Sequence, residues 1–219
     1  MSATVPGPSG FDLPELMTWD ELAELPEELA RNIELWDGVP VWGRRPATAH
    51  QRFMVRARNA LETNARRAVR DAGAPCAKHC WEVDVETNVF FTADKSSFLT
   101  PDFLIRRCQP LNADTHAADV VLVGEVLSGS DTPSRRTWKM DRYARAGIPW
   151  YWEVELSSDR TAVASVRASA RATLSVTDPS VKPLRPISYA LIQEWRPADG
   201  DIVLPHPFYI RITWDDLAP

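Results

Sequence analysis

The sequence predicts one α/β domain, and three observations carry that prediction. Helical periodicity runs over about Ala49 to Asp71, where Phe53, Ala57, Leu61, Ala65 and Ala68 recur on one face. A second helical segment runs from Arg135 to Ala146, closed by Gly147 and Pro149. Between and after these helices lie strand-type apolar runs, Asp102–Arg106, Asp119–Leu127 and Trp150–Leu156, each bounded by turn residues. No internal repeat and no linker interrupts this alternation. Residues 1–16, which mix Pro, Gly and Ser, read as a flexible tail, and residues 17–219 as the domain.

Composition narrows the class. At 44% hydrophobic and 25% charged residues the chain has the balance of an ordinary soluble globular protein. No apolar run approaches the roughly 18 residues of a membrane span. The N-terminus lacks a basic segment followed by an apolar one, so a cytoplasmic protein with no membrane contact is expected. A net charge of −5 does not advertise a nucleic-acid binder, although a local basic face is compatible with it. Three cysteines, an odd number, argue against a disulfide framework. Cys76 and Cys80 are spaced i, i+4, so free thiols are favoured over a zinc site with His79 and Cys108.

Taken in order, Thr18-Trp-Asp-Glu21 is a capping box that opens a short helix. Ile33 to Val41 reads as a hairpin, with Asp37-Gly38 supplying the positive φ angles of a two-residue turn. By alternation Glu34 on its first strand faces solvent. The long helix from Ala49 carries Arg52, Arg56, Arg58, Arg66, Arg67 and Arg70, and Ala72-Gly73-Ala74-Pro75 stops it. Trp81–Glu86 alternates as a half-buried strand, which Val89-Phe-Phe continues after a turn. Ser134 is the expected cap of the Arg135–Ala146 helix. The remainder reads as short strands with Pro-rich turns, ending in a capped turn at Thr213-Trp-Asp-Asp216. Trp42, Trp138 and Trp195 are candidate exposed residues for a homodimer interface.

Two carboxylates stand out because they lie on apolar runs. Asp102 follows Pro101 into one strand, and Glu125 closes the run Val120-Val121-Leu122-Val123 of another. Burying a lone carboxylate costs several kcal/mol, so each needs a partner, a proton or a metal ion. On the helix after Glu125, Lys139 projects between Ala146 and Tyr143, at the margin of the inward side. It either reaches the carboxylates or snorkels to solvent along the helix edge. Two carboxylates with waters make an oxygen-rich site for a hard cation such as Mg²⁺, suited to metal-assisted hydrolysis.

Pro101-Asp102, Glu125-Val-Leu-Ser, Lys139, Tyr143 and Ala146-Gly-Ile-Pro-Trp-Tyr-Trp-Glu-Val together resemble the Uma2 family of endonucleases, within the PD-(D/E)XK restriction-endonuclease-like fold. Ile33-Glu-Leu-Trp-Asp-Gly and His50 at a helix start resemble the family's N-terminal pattern. The resemblance implies a restriction-endonuclease-like core, a central mixed β-sheet flanked by helices. It implies Mg²⁺, with Mn²⁺ as an alternative, held by Asp102 and Glu125, and DNA as substrate. Lys139 would be the catalytic lysine, moved from the usual place two residues after the second acid, where Leu127 stands. Glu34 would be the upstream acid that supports the metal, which reverses its solvent-facing reading; His50 is a further candidate. Members commonly carry an aspartate four residues before the lysine; this chain has Arg135. A non-catalytic binding domain on the same fold is the alternative expectation.

Overall fold

The computed structural model describes residues 4–6, 12–43, 47–72, 80–127, 132–173 and 185–218. Its central sheet has six strands: β5 (Trp81–Val85), β8 (Phe103–Arg107), β10 (Val120–Leu127), β11 (Trp150–Leu156), β12 (Val163–Thr173) and β13 (Ile187–Trp195). They lie in the order β13-β12-β11-β10-β8-β5. Only β10 and β11 are parallel, and the other neighbours run antiparallel, so the sheet is mixed. A parallel pair cannot be closed by a tight turn and needs a crossover. Helix α4 (Pro133–Arg145) supplies it, capped by the Thr132 hydroxyl accepting from the Arg135 backbone N–H. The cap is therefore Thr132 and not Ser134, because Pro133 takes the first helical position.

The two faces of β10 bury different cores. Leu122 and Val126 pack with Phe103, Ile105 and the α3 (Thr48–Asp71) residues Phe53, Met54, Ala57 and Leu61. Val120 and Val123 pack with Leu104, Ile148, Tyr151 and Tyr143 of α4. Glu125 follows Val123 onto the α4 side. Gly124 faces the other way and lies directly opposite Phe103 of β8. A Cβ added there would stand 2.0 Å from the Phe103 ring. The aromatic ring fills the space of the missing side chain, so any larger residue would have to displace it.

A second sheet, in the order β4-β3-β7-β6-β9, is built from β3 (Ile33–Trp36), β4 (Val39–Trp42), β6 (Val89–Phe90), β7 (Phe98–Leu99) and β9 (Thr115–His116). The β3–β4 turn has φ of 54° at Asp37 and 83° at Gly38, as the hairpin reading requires. The segment Val89-Phe90 does not continue β5. Glu86 at φ 45° turns the chain out of the first sheet and into the second. Within the segment read as a loose tail, β1 (Thr4–Pro6) pairs with β2 (Asp12–Pro14), and Leu13 is fully buried with Met17, Leu35 and Leu22 of α1 (Trp19–Ala23), which the short α2 (Glu27–Ala30) follows. At the C-terminal end β14 (Ile202–Leu204), β15 (Ile210–Ile212) and α5 (Trp214–Leu217) pack on α3. Buried Asn64 of α3 bonds both the N–H and the C=O of Arg211, at 3.0 Å each.

The cysteine expectation is overturned. Cys80 and Cys108 form a disulfide rather than standing as free thiols. The register that sets Trp81 opposite Arg107 puts these cysteines across from each other at the open end of the β5/β8 pair, with Cα atoms 5.3 Å apart. Cys76 and His79 lie outside the described residues. Of the candidate exposed tryptophans, Trp195 is buried, whereas Trp42 and Trp138 are half-buried, and Trp138 stacks on Trp36 with ring centroids 3.4 Å apart.

Candidate active site

The residues singled out in the sequence meet at one end of the central sheet. Asp102 stands just before β8, and its Oδ2 accepts the Val126 backbone N–H at 2.6 Å. That bond ties it to β10 directly beside Glu125. Its Oδ1 lies 2.9 Å from Nε2 of His50, which is held in the first turn of α3. His50 thus enters the site through Asp102.

Glu125 is 9% exposed, and both of its oxygens are engaged from α4. Lys139 Nζ donates to Oε1 and Oε2 at 3.0 and 3.1 Å, and the Tyr143 hydroxyl donates to Oε1 at 2.8 Å. Lys139 therefore turns inward and does not snorkel. Burial pushes the Glu125 carboxyl up to about 7; Lys139 opposes the rise and the Asp102 charge adds to it. For Lys139, burial disfavours the ammonium, but the carboxylates of Glu125, Glu34 and Asp102 outweigh it and hold the pKa above the ordinary lysine value. Lys139 is a firmly charged group. Burial, with the neighbouring carboxylates, also keeps Tyr143 protonated well beyond the usual tyrosine range.

Glu34, at 6% exposure, is buried on β3 and not solvent-facing. Its Oε1 accepts the Thr100 backbone N–H at 3.1 Å and lies 3.8 Å from Lys139 Nζ. The Thr100 bond sets Glu34 beside the chain that leads into Asp102. Its Oε2 is buried with no hydrogen-bond donor among the described residues, and Arg135 Nη2 is 3.8 Å away. Arg135 stands one turn before Lys139, and Lys139 is held by Glu125. Asp131 lies outside the described residues.

The donor set suits a hard divalent cation. The oxygens come from carboxylates alone, and the orphaned Glu34 Oε2 is the kind of buried acceptor that a cation satisfies. Among the described residues no three ligating side chains stand close enough to enclose an ion by themselves. An open site of one or two carboxylates completed by water and substrate oxygens is how Mg²⁺ is commonly bound. Asp102 and Glu125 would hold it, with Glu34 alongside.

Sequence reasoning quoted two residues, Tyr143 and Glu153, without giving either a role. Tyr143 sits four residues after Lys139, on the same side of α4, and that spacing was the available signal. Glu153 lies in the apolar run of β11, in parallel register with Glu125 and 7% exposed. It accepts from Arg136 Nε and Nη2 at 3.2 and 2.8 Å, from the Tyr151 hydroxyl at 3.2 Å and from Arg167 Nη1 at 3.2 Å.

No helix of the described residues is long and apolar enough to cross a membrane. None of the curated proteins compared matches the chain. Among solved structures it resembles a crystal structure from Anabaena variabilis ATCC 29413 described as "a putative nuclease belonging to DUF820". The TM-score is 0.57 at 16% identity, over 92% of this chain and 97% of that one, which shows a shared fold. The Uma2 family, described as "Putative restriction endonuclease", matches over residues 19–187. The chain has the restriction-endonuclease-like fold and belongs to the Uma2 family.

Proposed function

We propose that the chain is a divalent-metal-dependent endonuclease that hydrolyses DNA phosphodiester bonds, with Mg²⁺ as its ion and Mn²⁺ as a substitute. The observation that carries this reading is the constellation itself: Asp102 just before β8 and Glu125 on the adjacent β10, with charged Lys139 on the Glu125 carboxylate and Glu34 beside it. When bound, the ion would lower the pKa of a coordinated water and offset negative charge on the phosphate. Asp102, fixed by the Val126 N–H and by His50, presents its carboxylate without reorganisation. Tyr143 keeps its proton and orients Glu125. Lys139 holds a proton at Nζ next to the reacting phosphate, where it neutralises developing charge or orients the attacking water.

Contacts with the DNA backbone would come from arginines that no carboxylate holds. On α3, Arg52, Arg56, Arg67 and Arg70 are exposed and make no ion pair among the described residues, whereas Glu62 takes Arg58 and Arg66. A cleavage assay on supercoiled and single-stranded DNA with Mg²⁺ or Mn²⁺ tests the reading. Asp102→Ala and Lys139→Ala are each expected to lose about 10²-fold or more in rate. Equal cleavage by both variants and the parent would sink it.

The second reading, a non-catalytic nucleic-acid-binding or protein-binding domain, draws on Arg135. A guanidinium 3.8 Å from Glu34 supplies charge where a cation would otherwise be needed. DNA binding by calorimetry that is indifferent to Mg²⁺ and yields no products would favour it.

A further inference from the structure

The arginines of α4 divide into two pairs. Arg142 spends both terminal nitrogens on Asp37, at 2.8 and 2.5 Å, and lies over the Trp138 ring. Arg145 is paired with Asp141. Arg135 and Arg136, in the first turn, are the pair that overlooks the site. With Glu125, Leu127, Lys139 and Tyr151 they line a small pocket.

Glu153 explains how Arg136 is held there. It is a buried carboxylate that the proposed chemistry does not use. It lies one strand over from Glu125 on the same face of the sheet. By engaging Nε and Nη2 it fixes the guanidinium by one edge. A guanidinium has five N–H donors, so three remain for a ligand. Arg167, which also reaches Glu155, packs behind and shares the charge of Glu153. None of the side-chain N–H groups of Arg135 makes a hydrogen bond within 3.5 Å among the described residues; its nearest acid is Glu34 Oε2. Arg135 and Arg136 therefore bring two sets of unengaged donors to the side of the Lys139 ammonium that sits on Glu125. This is the recognition chemistry of a tetrahedral phosphate oxyanion.

We propose that Arg135 and Arg136 form a binding subsite for a phosphate group, the phosphodiester next to the one at Lys139, and that Glu153 is the positioning residue that aims Arg136. The phosphate class follows from the paired guanidinium groups; its place on a DNA strand rests on the nuclease reading.

The test uses the full metal-free chain and inorganic phosphate, followed through the arginine Nε–Hε signals by NMR. Phosphate is expected to shift Arg135 and Arg136, and Arg136→Ala to weaken binding about 10-fold or more. Glu153→Gln, nearly isosteric, should weaken it comparably, and the double variant should bind no worse than Arg136→Ala alone. Should Arg136→Ala unfold, Arg136→Lys, which keeps the charge and loses the fork, is expected to weaken phosphate as well. With a duplex oligonucleotide in EDTA, Arg135→Ala and Arg136→Ala should each reduce the slope of log K against log salt by about 1. Phosphate that leaves both arginine signals unmoved, or losses from Arg136→Ala and Glu153→Gln that simply add, would overturn the proposal even if DNA is cut. Phosphate bound at this pair without DNA cleavage would uphold the subsite and reject the nuclease reading.

Discussion

Glu125 is where sequence, burial and charge meet most sharply. Its ordinary value of 4.5 is raised to about 7, first by burial. Between those pH values the folded, metal-free protein keeps a proton that the unfolded chain has released. Stability contributed by this group is therefore lost as pH rises through the window. Thermal unfolding in EDTA across pH 4.5 to 7 should show a downward trend in Tm that Glu125→Gln flattens. An unchanged trend in that variant would mean that the carboxyl does not titrate there. The inward turn of Lys139 was visible in outline, because helix phase put it at the packed margin. Alternation misled at Glu34, because it reports which residues share a face and not what covers that face. Here Thr100, Lys139 and Arg135 cover it from distant parts of the chain.

At the scale of elements, local chemistry was legible and register was not. Asp37-Gly38 announced the β3–β4 hairpin, and the i, i+4 recurrence from Phe53 to Ala65 announced α3. Strands such as β12 and β13 blurred into short pieces because polar and small residues interrupt them, with β13 largely exposed at the sheet edge. The pairings that build the site, Glu125 with Glu153 and Phe103 with Gly124, join positions 20 or more residues apart, beyond any spacing rule. The second pairing offers a way to disturb the site without touching it. Gly124→Ala would drive a methyl into the Phe103 ring, and overpacking of this kind costs about 1–3 kcal/mol. Phe103 follows Asp102 and Gly124 precedes Glu125, so relief of the clash moves both carboxylates. The variant is expected to fold with lowered Tm and to lose cleavage out of proportion; retained Tm and activity would show that the ring yields freely.

Across the whole molecule, an excess of acid coexists with one concentrated basic stripe. At helical spacing Arg52, Arg56, Arg67 and Arg70 fall within about 60° of arc and extend about 27 Å from the turn that holds His50. The net charge of −5 conceals this arrangement, because composition averages over faces. Changing all four to Gln should lower the salt slope of DNA binding by about 3 to 4 while leaving the fold intact. A slope equal to the parent's would place the duplex elsewhere. The cysteine bridge acts at the same scale. Cys80 and Cys108 are 28 positions apart, and the loop they close contains the approach to Asp102. Closing such a loop removes freedom from the unfolded chain worth about 3–4 kcal/mol. Dithiothreitol in an assay buffer would thus hand the experimenter a softer protein, melting roughly 10 °C lower. Scans with and without reductant read this directly, and the thiol poise of the surroundings becomes a condition to state beside metal and salt whenever activity is compared.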